Sequence, residues 1–382
     1  MKKLLYVSNI AGKKFTGSFA GTSIDAAHSL GIEYYVVANR SKMTNDQREQ
    51  DEEKFDIKLC HADISRSPFS LKNIKAFRQI VSLIKQEKID YIHCNTPVGG
   101  VLGRLAGKKC KVKRVIYQAH GFHFYKGAPA VNWLIYYPIE RWLAHYTDAL
   151  ITINHEDYER AKKFHLRNRG LVYYVPGVGI NTKDYEPRDF KREQKRRELS
   201  IAEDDIVCVS AGDLIKRKNY KTAIESIAKI KNDHIHYLIC GEGPLKNDLM
   251  ILATELGVEN KIHFLGFRSD IKEILWAADI FLISSYQEGL PRSLLEAMAS
   301  GLPCVASNIR GNIDIIDNDE VGFLYEPNDV IGFSDGITKL ANDPKLRKQI
   351  GLASVKQIMK FNTEKVENCL GDIYKREFIL GG

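Results

Sequence analysis

The stretch Ile280-Phe281-Leu282-Ile283-Ser284-Ser285-Tyr286-Gln287-Glu288-Gly289-Leu290-Pro291-Arg292-Ser293-Leu294-Leu295-Glu296-Ala297-Met298-Ala299-Ser300-Gly301-Leu302-Pro303 decides how the rest of the chain is read. Ile280 to Ile283 has the length and composition of a buried strand, and Ser284 and Ser285 end it. Gly289 admits a close backbone approach, Pro291 suits a first helical turn, and Leu294, Leu295 and Met298 fall at helical spacing before Gly301 and Pro303 stop the helix. The unit is therefore strand, glycine loop, helix. Such a helix start offers unpaired N–H groups and the positive end of a dipole, which suit a diphosphate. Glu296, about one turn inside with its side chain tilted back toward that end, can accept hydrogen bonds from ribose hydroxyls, and Glu288 on the loop can reach the next sugar along. A carboxylate on the helix dipole and a solvated loop glutamate fit the pair equally well when it is taken alone.

The alternation recurs along the chain. Apolar runs at Leu4 to Ser8, Tyr34 to Ala38, Tyr91 to Cys94, Val115 to Ala119 and Ala149 to Ile153 are separated by segments of helical length such as Leu71 to Gln86. Ile206 to Ala211, Ile235 to Cys240, Ile262 to Phe264, Ile280 to Ile283 and Cys304 to Ala306 repeat the pattern. Apolar strands alternating with helices argue for parallel sheets covered on both faces. With 382 residues, two doubly wound α/β domains are expected. The polar, charged stretch Asn181 to Arg197 reads as the linker, giving domains 1–184 and 198–362. Ligands in such sheets bind beyond the carboxyl ends of the strands, so the active cleft is expected where the two domains face each other.

Hydrophobic residues at 44% and charged residues at 27% describe an ordinary globular chain. The 7 cysteines show no paired short spacing, which speaks against a zinc or redox motif and for reduced thiols in a cytoplasm. Met1 to Ser8 is too brief an apolar run for a signal peptide, and no run reaches the roughly 18 residues of a membrane span. Charge is uneven: residues 1–190 carry 30 Lys and Arg against 19 Asp and Glu, whereas residues 191–382 carry 26 against 29. A basic first half seeks anionic surfaces, with clusters at Arg104 to Arg114 and Lys162 to Arg169, unless these are solvated helix faces. Lys126 to Tyr146, with Trp133, Tyr136, Tyr137, Trp142 and Tyr146, reads first as a helix packed on the sheet and second as a membrane-interface element.

The run Glu288 to Pro303 resembles the signature of the family 4 retaining glycosyltransferases of bacterial capsule and exopolysaccharide type, which have the two-domain GT-B fold. The likeness extends through Phe264-Leu265-Gly266-Phe267-Arg268-Ser269-Asp270-Ile271, Ala277-Ala278-Asp279-Ile280-Phe281 and Gly322-Phe323-Leu324-Tyr325. It implies a nucleotide-sugar donor, uridine diphosphate by family frequency, and no further cofactor. Glu296 would hold the ribose, Glu288 the transferred sugar, and the backbone of the segment Gly289, Leu290, Pro291 and Arg292 the phosphates. Phe267, Arg268 and Gly241 would join the donor site, and the segment 363–382 would return to the first domain. Ala211-Gly212-Asp213-Leu214-Ile215-Lys216-Arg217-Lys218 departs from the family pattern, since Asp213 stands where an arginine is usual. Lys218 is then the main phosphate cation, with Arg217 or Arg292 as the second.

In the first half, His120 in Gln118-Ala119-His120-Gly121 can place a ring nitrogen by the donor sugar. The loop with Gly12, Lys13, Lys14, Thr16 and Gly17 sits where relatives admit the acceptor, expected here to be a glycan on a polyprenyl diphosphate at the inner face of the cell membrane. Asp317-Asn318-Asp319 is the one obvious pair of nearby aspartates and reads as a turn, so a metal-independent reaction is expected. The resemblance implies front-face substitution in which the departing phosphate takes the acceptor proton; a covalent sugar ester on Glu288 stays open. Two other classes compete: a sugar-nucleotide epimerase of the same fold and, on charge alone, a nucleic-acid-binding protein. The second lacks any recognised motif or stacking aromatics among its basic residues, so no nucleic-acid partner is expected.

Overall fold

The computed structural model describes residues 1–9, 15 and 20–380, which form two compact units, Met1–Gly179 with Thr363–Gly382, and Ile180–Asn362. In the first, β1 (Lys2–Val7), β2 (Ile32–Ala38), β3 (Lys58–His61), β4 (Tyr91–Asn95), β5 (Arg114–Ala119), β6 (Ala149–Thr152) and β7 (Leu171–Tyr174) make one sheet in the order β3-β2-β1-β4-β5-β6-β7. In the second, β8 (Ile206–Ala211), β9 (Ile235–Cys240), β10 (Ile262–Gly266), β11 (Ile280–Ile283), β12 (Cys304–Ser307) and β13 (Phe323–Tyr325) run in the order β10-β9-β8-β11-β12-β13. Every pairing is parallel, with Leu4 opposite Tyr34 and Phe281 opposite Cys304. Both orders are doubly wound, the architecture of the GT-B fold. β3 and β13 carry no long apolar run, and β7, although apolar throughout, was also passed over; it keeps all four residues at least partly exposed.

Strands of continuous apolar sequence arise because both faces are covered. Consecutive Leu4 and Leu5 point to opposite sides, Leu5 into a cluster with Ile80, Ile92 and Leu102, and Leu4 into one with Tyr34, Ile116 and Val366. The helix Pro97–Cys110 lies close on the sheet through glycines: a Cβ on Gly103 would stand 2.5 Å from that of Cys94, and one on Gly107 2.6 Å from a Val115 methyl. Between them Arg104 is wholly buried, bonded to the Gly100 carbonyl at 2.9 Å and to Glu140 at 2.7 and 3.2 Å. Arg167 likewise binds the buried Asp148. Part of the basic character read as surface charge is therefore neutralised inside the unit.

The stretch Asn181 to Arg197 is not an open linker. It belongs to the second unit and forms the helix Asp189–Glu198 after a short turn at Thr182–Tyr185. Arg192 and Arg196 each bind Asp279 at 2.7 Å, and Arg196 also binds the carbonyls of Ala202, Glu203 and Asp205. High charge density misled the reading because these cations serve as inward anchors. The helix Thr363–Tyr374 returns to the first unit, where the Tyr374 hydroxyl meets His93 Nδ1 at 2.5 Å and Tyr91 donates to the Phe378 carbonyl at 2.6 Å.

Candidate active site

In the second unit the chain winds from β8 out to β10 on one side and then crosses to β11 on the other. The switch therefore lies between the carboxyl ends of β8 and β11, where doubly wound sheets bind ligands. Lys218 comes from the loop after β8, and Glu288 from the loop after β11. Asn219, in the left-handed conformation at φ 50°, pins the two loops together, its amide donating to the Ser284 carbonyl at 3.1 Å and the Pro327 carbonyl at 2.8 Å. Ser284 Oγ returns a bond to the Asn219 carbonyl at 2.7 Å.

Held this way, Glu288 is 7% exposed and collects three donors: Lys218 Nζ at 2.8 Å and Ser285 Oγ at 2.7 Å on one oxygen, and Arg217 at 3.0 Å on the other. Burial pushes this carboxyl up, but the charges of Lys218 and Arg217, with the hydrogen bonds from Lys218 and Ser285, outweigh it and hold it below the ordinary carboxylate value. Glu288 is thus ionised at neutral pH in spite of its burial. The Glu288 carbonyl accepts from Arg310 Nε at 3.2 Å, and Arg217 also caps the Gln287 carbonyl at 2.6 Å.

The helix Arg292–Ala299 starts immediately after, with Pro291 as its N-cap rather than inside its first turn. Among the described residues no side chain caps this end, so its first amides remain available to an anion. Glu296 Oε1 accepts from Tyr185 at 2.8 Å and from Arg292 Nε at 2.8 Å. Arg292 therefore spends its Nε on Glu296, and the cation that joins Lys218 at Glu288 is Arg217. Gly289 keeps an ordinary backbone conformation; the special glycine is Gly311, whose φ of +86° brings it so near that a Cβ there would stand 2.5 Å from the Gly289 carbonyl. Gly241 plays a similar part beside β8, since a Cβ on it would lie 1.9 Å from the Gly212 carbonyl.

Phe267 is 79% exposed after β10. Arg268 binds Asp270 at 2.6 and 2.8 Å and Glu198 at 3.2 Å, in a network that also holds Lys195. His120 follows β5 of the first unit; its Nε2 lies 2.6 Å from Asn95 Oδ1, and burial pushes its pKa down to about 4, so the ring is neutral. Gly12, Lys13, Lys14, Thr16 and Gly17 lie outside the described residues. Asp317 bonds to Gln357 at 2.9 Å and Lys360 at 3.2 Å. Sequence reasoning passed over Ser285, Tyr185, Arg310 and Gly311. Ser285 was visible only as a polar strand end, Tyr185 lay in the supposed linker, and Arg310-Gly311 repeats the strand-then-glycine pattern after β12.

Residues 191–357 match the model described as glycosyl transferases group 1, and residues 5–154 the one described as glycosyl transferase 4-like. EpsD of Bacillus subtilis (strain 168), which carries a glycosyltransferase name, is 39% identical over 351 residues, covering 90% of this chain and 89% of that protein. The chain belongs to the family 4 glycosyltransferases. This glycosyltransferase is also 30% identical, over 309 residues and 80% of each chain, to the UDP-Gal:alpha-D-GlcNAc-diphosphoundecaprenol alpha-1,3-galactosyltransferase of Escherichia coli. Its fold matches the crystal structure of Anabaena HepE in complex with UDP and glucose with a TM-score of 0.80, at 18% identity, over 98% of this chain and 100% of that one. Membership sets aside the epimerase reading and makes the chain a sugar-transferring enzyme of polysaccharide synthesis.

Proposed function

We propose that this glycosyltransferase moves a hexosyl or N-acetylhexosaminyl group, with retention, from a uridine diphosphate sugar to a sugar carried on a polyprenyl diphosphate. The cluster Lys218–Glu288–Arg217 at the sheet's switch point, beside an uncapped helix start, is the observation that carries the reading. The named specificity of the Escherichia coli relative supports the donor and the acceptor class. In this reading the diphosphate lies at the amides of Gly289, Leu290 and Arg292 and draws Lys218 and Arg217 toward it. Glu296, which already accepts two hydrogen bonds, takes the ribose hydroxyls, and Glu288 stays ionised beside the transferred sugar.

Transfer needs stabilisation of the charge that develops on the departing diphosphate, and two cations with helix amides supply it without a metal. Neutral His120 offers a hydrogen bond to a sugar hydroxyl, with Asn95 fixing its ring. The first unit would receive the acceptor, through the loop around Gly12 to Gly17. Among the described residues no helix is long and apolar enough to cross a membrane, and we place the enzyme peripherally on the anionic inner face of the cell membrane. The test is calorimetric binding of UDP and transfer assays with the proposed lipid-linked acceptor. Lys218→Ala should weaken UDP binding by about tenfold or more, the value of a charge-assisted hydrogen bond. Undiminished UDP binding by that variant would overturn the phosphate assignment.

A further inference from the structure

The helix Ala130–Ala144 is apolar on two sides, and only one of them is used by the fold. Trp133, Tyr136 and Tyr137 pack against the core of the first unit, and Leu143 and Ala144 are fully buried. Val131, Leu134, Ile135, Ile139 and Trp142 stand at i, i+3, i+4, i+8 and i+11 and so share one stripe, yet they are 54%, 77%, 43%, 41% and 49% exposed. A helix on the surface of a globular unit ordinarily turns polar residues outward; a continuous apolar stripe there marks an interaction surface.

Its charges indicate the partner. Lys126 is exposed just before the helix and Arg141 is exposed on it, while Lys108 lies 3.9 Å over the ring of Tyr146 at its far end. Between Lys126 and Tyr146 the only carboxylate is Glu140, which is spent on the buried Arg104. Glu156, near the start of the helix, is taken by Arg160 at 3.0 Å. The rim of the stripe is therefore positive. A second copy of the chain meeting this face by two-fold symmetry would set those cations against themselves.

We infer that this stripe docks the enzyme on a bilayer with acidic headgroups, the helix lying in the plane of the interface. Leu134, Ile135, Ile139 and Trp142 enter the acyl boundary, and Lys126 and Arg141 meet lipid phosphates. The inference deepens the proposed lipid-linked acceptor, on which its biological sense rests.

The experiment is sedimentation of the full chain with vesicles of phosphatidylcholine alone and of equal parts phosphatidylcholine and phosphatidylglycerol, alongside UDP calorimetry and light scattering. The wild type should bind the anionic vesicles, more weakly at high salt and on neutral lipid. Leu134→Glu with Ile139→Glu should lower binding by about tenfold or more, the value of withdrawing one to two apolar side chains from the interface. Lys126→Glu with Arg141→Glu should lose the preference for acidic lipid. UDP affinity and thermal stability should stay unchanged in both, because the substituted side chains face solvent. Equal vesicle binding by the stripe variant, or none by a wild type that binds UDP normally, would overturn the docking surface and leave the donor site standing. A wild-type dimer that the stripe variant converts to monomer, without vesicle binding, would overturn it in favour of self-association.

Discussion

Glu288→Gln is the substitution on which the reading of the donor site turns. Glutamine keeps the size of the side chain and an oxygen for Ser285, and removes one negative charge from a group held by Lys218 at 2.8 Å and Arg217 at 3.0 Å. That carboxylate occupies the two cations that the proposed donor site would give to the diphosphate. Were the nucleotide to draw them away, the carboxylate would keep its charge, and at an assumed separation of roughly 6 Å from one phosphate charge the repulsion would be about 1 to 3 kcal/mol for effective dielectric constants between about 80 and 20. Removing it should tighten UDP binding by about 5- to 100-fold while transfer falls, because the charge beside the reacting sugar is gone. Isothermal titration calorimetry with UDP, beside initial rates of transfer, separates the two effects. A properly folded Glu288→Gln enzyme that binds UDP no better than wild type would refute the competition between carboxylate and phosphate.

The same carboxylate shapes the response to acid. Its folded-state pKa lies below the unfolded value, so the stability it contributes is fully present above the ordinary carboxylate range and is lost as pH falls through the folded value. Thermal melts carried from neutral pH to about pH 3 should therefore fall more steeply in wild type than in Glu288→Gln below about pH 4.3, where the unfolded carboxyl titrates. Gly311→Ala must force the loop after β12 off the Gly289 carbonyl and adopt a positive φ; about 1 to 3 kcal/mol of destabilisation is expected, with weaker UDP binding, read by chemical denaturation and calorimetry. Arg104→Ala strands Glu140 beside a buried space and should lower stability by about 3 to 5 kcal/mol, whereas joint replacement by Arg104→Met and Glu140→Leu should recover most of it, as denaturant titration would show.

Much of this architecture was legible because parallel strands buried on both faces advertise themselves as unbroken apolar runs. Ten strands announced themselves so, and the position of Glu288 and Glu296 around a helix start followed from glycine, proline and helical spacing. Three strands were passed over: Lys58–His61 at one margin of the first sheet and Phe323–Tyr325, only three residues long, at the edge of the second lack such a run, whereas Leu171–Tyr174 at the other margin of the first sheet has one but lies partly exposed at the edge. The pairing of Arg217 with Glu288, 71 residues apart, and of Tyr185 with Glu296, 111 apart, has no sequence signature. Both depend on which strands become neighbours, a property of the folded sheet. Charge was the poorest guide, since Arg104, Arg167 and Arg196 look like surface residues in the sequence and serve as internal anchors.

The route by which the helix Thr363–Tyr374 reaches the first unit fixes an order of assembly. Residues 363–380 leave the ribosome after the whole of Ile180–Asn362, so the second unit can complete its sheet during synthesis while the first still lacks a covering for the face that bears Leu4, Tyr34 and Ile116. Until Tyr374 and Phe378 arrive, Tyr91 and His93 have neither their hydrogen-bond partners nor the stacked ring 4.2 Å from Tyr91. The earliest-made half of the polypeptide is thus the last to mature, and a nascent chain arrested before this closing segment would expose its sticky sheet to chaperones and proteases.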